Sequence, residues 1–313
     1  GFETEADPRH AELLVEELQP TKNAATAGVD DVDGNDDELP PEMAFKYRSL
    51  AARANYLAID RPDLVFATKE LCRSMSKPTQ RSWNQLVRLG RYLRGKTRLV
   101  WKFYWQPETH VVTMYSDANW AGCPHSRKST SGGVAMIGAH PIRVYSKSQS
   151  VIALSSAESE FYATAKAATE AIGILALLKA FGIEKTVVIE VDASAALGVI
   201  ERKGIGKIRH LHTNALWIQE QQIRDVIKLK KTHGSENLAD LFTKNTSREV
   251  CERHVHGLNC YFAEGRAECA AQLHRIEHMV REMIPPDDNI PLDEMGWKGT
   301  DGFHVAELIE HAN

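Results

Sequence analysis

The 313-residue sequence has little of what staples small folds or gathers soft metals. Its five cysteines, Cys72, Cys123, Cys251, Cys260 and Cys269, are odd in number, widely spread and form no C-x-x-C pair. That argues against a disulfide framework and points to a reducing, intracellular compartment. The one close Cys/His grouping, Cys251, His254, His256 and Cys260, has the ligand order of no common zinc site. No apolar run approaches the roughly 20 residues of a membrane helix, and no signal peptide opens the chain. The first residue is Gly1, as expected of a piece of something longer. Neither sign of charge dominates: the formal net charge is −4, so partners must be read from where the charges stand.

What is present is ordinary for a globular protein of about two domains, 43% hydrophobic and 26% charged. One short helix is expected in residues 1–19, started by Asp7 and Pro8 and striped by Leu13, Leu14 and Leu18. The acidic residues 24–42 have almost no apolar content and read as a solvated linker. Within them GVDDVD superficially resembles a polymerase's paired aspartates but lacks the flanking apolar strands. Residues 43–97 have a helical period and fit three helices, with Pro62 near the start of the second and Pro78 ahead of the third. Arg88, Arg91 and Arg94 recur at i+3, which stacks them near one side of a helix and makes them candidates for phosphate contacts.

From residue 111 the period changes. A β-rich run ends at Asp117, and a polar loop holding Arg127 and Lys128 leads to strands over 132–137 and 141–148, a three-strand meander. A long helix follows over 156–181, stopped by Gly182, with Ser155 and Glu158 at capping-box spacing. Next come a short strand ending at Asp192, a helix, the basic connector KGIGKIRHLH with Arg209, a second helix, a fifth strand over 225–231 and a last helix over 236–244. Residues 261–283 read as a helix and the remainder as a tail.

Four acids share one property. Asp117 ends a strand, Glu160 lies near the start of the long helix, Asp192 ends a parallel strand and Asp240 opens the last helix, so a sheet with the first strand central brings all four to one edge. Four carboxylates at one spot repel one another and imply divalent cations; all-oxygen ligands suit Mg²⁺ or Mn²⁺, and a pair of ions can act on a phosphodiester.

The stretches YSDANWAGCPHSRKSTSG, LSSAESEFYA, VDASAA and ENLADLFTK, in this order and spacing, resemble the ribonuclease H domain of copia-type retrotransposon Pol polyproteins. Upstream, EADPRHAE, YRSLAARANYLAIDRPDLVFATKELCRSM and SWNQLVRLGRYLRG resemble the end of the reverse transcriptase and its connection in the same polyproteins. Together the resemblance covers residues 1–248. It implies an α/β, ribonuclease H-like fold: a five-stranded mixed sheet, three antiparallel strands then two parallel, flanked by helices and preceded by a small helical connection region. The implied division is 1–42, the end of the reverse transcriptase palm and the acidic linker; 43–104, the connection; 108–248, the ribonuclease H-like domain; and 249–313, a helix and tail.

The resemblance further implies a metal-dependent endonuclease that hydrolyses the RNA strand of RNA/DNA hybrids. Its metal-binding acids fall on Asp117, Glu160, Asp192 and Asp240, for two Mg²⁺ or Mn²⁺ ions. His233 stands where related nucleases carry a mobile histidine for proton transfer or product release; an exposed loop histidine is the other reading. Arg88, Arg91, Arg94, Arg127, Lys128 and Arg209 are the expected nucleic-acid contacts. The hybrid and the remainder of Pol are the expected partners, with no membrane, in a cytoplasmic particle or the nucleus. DNA synthesis is not expected, because the polymerase's aspartates lie outside this chain. Asn119 and Ala193 depart from the family pattern, where an acid and Asn are usual, and RHLHTNALW is loose. The competing readings are a nucleic-acid-binding remnant that no longer cuts and, last, an integrase-like nuclease.

Overall fold

The computed structural model describes residues 1–30, 32–201, 213–268 and 270, all within the contact unit Gly1–Ala270. A strand β1 (Phe2–Glu5) precedes four helices, α1 (Pro8–Leu18), α2 (Pro41–Leu57), α3 (Val65–Arg73) and α4 (Gln80–Gly95). Local chemistry sets their starts. Asp7 accepts the backbone N–H of Arg9 ahead of Pro8, and Thr79 and Ser82 form a capping box at α4. The apolar stripes meet in a core that includes Leu14, Tyr47, Leu57, Leu71, Leu86 and Leu93. This core ends in a buried ion pair: Arg61 donates to both oxygens of Asp63, at 2.9 and 2.7 Å, and to the carbonyls of Lys96 and Thr97. The Tyr92 hydroxyl also donates to Asp63, at 2.8 Å.

The acidic residues 24–42 are not a solvated linker. They are irregular but packed, with Ala27, Val32 and Leu39 buried, and they run along α4. Arg81 pairs with Asp36 and donates to the Val32 carbonyl; Asn84 and Arg88 donate to the Asp33 carbonyl and the Thr26 hydroxyl. The physical reason is α4 itself, whose arginines offer donors that carboxylates and carbonyls of an extended chain can fill.

The rest comprises β2 (Arg98–Phe103), β3 (Val111–Asn119), β4 (Thr130–Ile137), β5 (His140–Ser148), α5 (Ser156–Ala180) and β6 (Thr186–Val191). These are followed by α6 (Ser194–Ile200), α7 (Thr213–Ile223), β7 (Ile227–Lys231), 3-10 turns at Gly234–Glu236 and Leu238–Phe242, α8 (Arg248–Gly257) and β8 (Cys260–Ala263). Five strands form one sheet in the order β5-β4-β3-β6-β7. The β3–β4 and β4–β5 pairs are antiparallel, the β3–β6 and β6–β7 pairs parallel. This is the ribonuclease H-like mixed sheet that the sequence predicts, with β3 central. α5 lays Phe161, Ala167, Ala168 and Ala171 over Val112, Met114, Val187 and Ile189. By length and composition alone α5 is long and apolar enough to cross a membrane, which corrects the expectation that no stretch is; here its buried face closes the core.

Two further differences from the sequence reading stand out. β1, β2 and β8 form a second sheet with β2 in the middle, where the sequence reading has no strand before residue 111 and a helix from 261. RLVWKF and CYFA are too short to show a period, and their partners lie far off in sequence. The last helix, expected over 236–244, is two 3-10 turns. Arg209, Cys269 and the tail lie outside the described residues.

Candidate active site

Ser116 of β3 pairs in parallel register with Val191 of β6, so Asp117, still within β3, and Asp192, just past the end of β6, stand side by side. Glu160 joins them from the start of α5, whose Ser155 cap accepts the N–H of Glu158. One carboxylate oxygen from each of Asp117, Glu160 and Asp192 lies within 4.8 Å of the others, the single such metal-ligand group among the described residues. Glu160 accepts the Ala118 N–H on Oε1 at 3.2 Å, while its Oε2 is buried and has no partner. Asp117 is fixed by the Thr243 hydroxyl, which donates to Oδ2 at 2.5 Å. Thr243 reaches it because Gly132, opposite Asp117 on β4, has no side chain: a Cβ there would lie 2.7 Å from Thr243 Cγ2 and 2.8 Å from the Ala239 carbonyl. Asn237 ties the same turn to the sheet by donating to the Ser116 carbonyl at 2.9 Å and accepting the Ala239 N–H.

Asp240 stands beside this group but is not one of the three. Its Oδ1 is ion-paired with Lys244, and its Oδ2 lies 3.9 Å from Nε2 of His254, a buried histidine of α8 whose Nε2 has no hydrogen-bond partner. Burial favours the neutral form of that imidazole. His254 therefore faces Asp240, and Cys251 and Cys260 are buried in the apolar core beside β2.

The electrostatics follow from crowding and burial. Burial, then Asp240 and Asp192, push Asp117 up to about 6 against the Thr243 hydrogen bond. Burial, then Asp117 and Asp192, push Glu160 up to about 9. Asp192 is raised as well, chiefly by burial. A buried carboxylate with an unpartnered oxygen is costly, and a hard divalent cation is the partner whose charge and oxygen preference fit this donor set.

The other predicted residues are scattered. His233 is exposed, with Nδ1 bonded to the Ser235 hydroxyl at 2.7 Å; the adjoining Gly234 passes so close that a Cβ would be 3.2 Å from Asp192 Oδ2. Arg127, exposed and in the left-handed region (φ 54°), and Lys128 sit in the β3–β4 loop. Arg88 and Arg91 are half-buried and line a cavity of about 250 Å³ with Val29, Val32, Asp33, Asn84 and Val87. Arg94 is exposed and donates to the Pro20 carbonyl. Glu158 does not close the full capping box: its Oε2 takes the N–H of Leu154, one residue before the cap, at 2.8 Å. Sequence reasoning missed Asn237, Thr243 and Lys244 and saw His254 only within the Cys/His grouping; the i,i+4 spacing of Asp240 and Lys244 was the available signal.

No family model matches the chain. A retrovirus-related Pol polyprotein from transposon RE2 of Arabidopsis thaliana is 32% identical over 206 residues, 65% of this chain. One from transposon TNT 1-94 of Nicotiana tabacum is 28% identical over 215 residues. This chain is a homologue of the Pol polyproteins of copia-type transposons. The match spans only 14% of the RE2 Pol and 16% of the TNT 1-94 Pol. A shorter relative, secreted RxLR effector protein 161 of Plasmopara viticola, is 36% identical over 127 residues, 40% of this chain and 89% of that protein. Among solved structures, LC11-RNase H1 in complex with an RNA/DNA hybrid is 15% identical, covering 42% of this chain and 93% of that one with a TM-score of 0.31. At that level the strand order, not the match, identifies the fold.

Proposed function

We propose that this chain is the ribonuclease H part of a copia-type Pol: an endonuclease that hydrolyses the RNA strand of RNA/DNA hybrids with two Mg²⁺ or Mn²⁺ ions. The observation that carries it is the convergence of Asp117, Glu160 and Asp192, with one buried Glu160 oxygen left without a protein donor. Asp117, Glu160 and Asp192 would hold the ions, with Asp240 reaching in from the side; when bound, they would supply Lewis acidity at the scissile phosphodiester. The protein's own part is positioning. Thr243 and the Ala118 N–H fix two of the carboxylates before substrate arrives, which spares reorganisation during the reaction. His233, next to the Gly234 that lies against Asp192, would move a proton or help product leave. Arg127 and Lys128, on the loop that follows β3, would meet backbone phosphates, and Arg88, Arg91, Arg94 and Arg209 are further candidates. The remainder of Pol would be the partner chain.

A second reading, hybrid binding without cleavage, draws on the Lys244 ion pair that occupies Asp240. One assay separates the two: labelled RNA/DNA hybrid, RNA duplex and DNA duplex, each with Mg²⁺ or chelator. Cleavage of RNA in the hybrid alone, abolished by chelator and by Asp117→Asn, is expected. Cutting that survives either treatment rules out the mechanism, and binding with no cutting supports the second reading.

A further inference from the structure

Lys244 closes the run ENLADLFTK four residues after Asp240 and is half exposed, so its ammonium is neither buried in the core nor free in solvent. It pairs with Oδ1 of Asp240, and the second oxygen of that carboxylate faces His254 Nε2 at 3.9 Å. Lys244 therefore holds one oxygen of Asp240, while the other lies against a neutral imidazole to which it makes no hydrogen bond. The three remaining acids converge within 4.8 Å, and the Oε2 of Glu160 has no donor. The ammonium also acts beyond its partner: its charge favours the ionised forms of Asp117, Glu160 and Asp192, and Lys231 adds to it at Asp192.

We propose that Lys244 is a resident cation of the acidic site, a positioning residue that sets how many divalent ions it takes. By holding Asp240 outside the three-acid group, it leaves a seat for one ion and opposes a second, which needs an Asp240 oxygen. This deepens the nuclease reading and rests on it. The physics is competition. An ammonium and an ion compete for the same carboxylate, and two cations a few ångströms apart repel one another even at a half-exposed position. A second ion either opens the Lys244–Asp240 pair or sits on the other Asp240 oxygen beside the ammonium, and in both cases the cost is subtracted from its affinity.

The test reads metal binding without turnover. The full chain is titrated with Mn²⁺ by calorimetry, with electron paramagnetic resonance to count coupled ion pairs, for the natural sequence, Lys244→Met, Lys244→Gln and Lys244→Arg. The natural chain should bind one Mn²⁺ tightly and a second weakly. Both neutral substitutions should tighten the second by about tenfold or more, a range set by removing a unit charge a few ångströms away. Lys244→Arg should behave as the natural chain. Circular dichroism shows which variants are folded, and either folded neutral variant suffices. A second-ion affinity that is unchanged or weaker in a folded neutral variant overturns the role of Lys244. Absence of Mn²⁺ binding in the natural chain overturns the metal reading as well.

Discussion

The residue that concentrates the cost of this site is Glu160. Its folded-state pKa near 9, raised by burial and by Asp117 and Asp192, stands well above the roughly 4 of an unfolded chain, and Asp117 is raised to about 6. Between these limits the folded state binds more protons than the unfolded one, so stability is greatest at low pH and falls as pH rises. Without metal, the melting temperature is expected to fall between about pH 5 and pH 9, and Glu160→Gln should flatten the upper part of that curve while abolishing cleavage. A melting temperature that does not fall over this range would contradict the crowding of carboxylates described here. Glu158, two residues away, has a different task at the helix start. Glu158→Ala should cost about 0.5 to 2 kcal/mol, as cap losses do, and spare activity where the chain stays folded. The convergence of Asp117, Glu160 and Asp192 was legible in the sequence, because the expected strand order brings them to one edge; Asp240, expected to open a helix, stands beside them in a 3-10 turn. The partners of these acids were not legible. Thr243 acts across space on Asp117, 126 positions earlier, Lys244 shows in the sequence only as a lysine four residues after Asp240, and His254 lies on a helix outside the resemblance.

At the scale of elements, the five strands of the main sheet were readable because they follow one another at short spacing between turn and loop residues, and α5 because its apolar stripe spans many turns. β1, β2 and β8 were not, since they are paired with one another from parts of the chain far apart in sequence and only that mutual pairing makes them strands. The helical region shows a different kind of element-level anchor. Arg61 and Asp63, with side chains 1% and 0% exposed, bind the turn before α3 to the end of α4 through the Lys96 and Thr97 carbonyls and the Tyr92 hydroxyl. Such a pair is weak evidence of net stabilisation, but removing one partner leaves a charge stranded. Asp63→Ala should therefore destabilise the chain by about 3 to 5 kcal/mol in denaturant unfolding, whereas the double replacement of Arg61 and Asp63 by apolar residues should cost less. A single replacement within experimental error of the natural chain would mean that solvent reaches the guanidinium.

At the scale of the whole molecule, the segment after the ribonuclease H-like sheet is part of its support. α8 brings His254 against Asp240, and Cys251, Val255, Leu258 and Cys260 share a core with Val134, Met136 and Phe242. A chain ended after residue 247 should melt at a lower temperature than the full chain and expose apolar surface to a hydrophobic dye, even though every acid of the site is retained. Equal melting temperatures would make α8 and β8 dispensable. The small sheet carries a consequence for synthesis. β2 is bracketed by β1, made long before it, and by β8, made long after. On the ribosome, one edge of β2 therefore waits with unpaired N–H and C=O groups until residue 263 has emerged. A nascent chain stalled short of that point presents an open strand edge, ready to pair with a neighbouring copy or a chaperone, and its own closure is a late, long-range event.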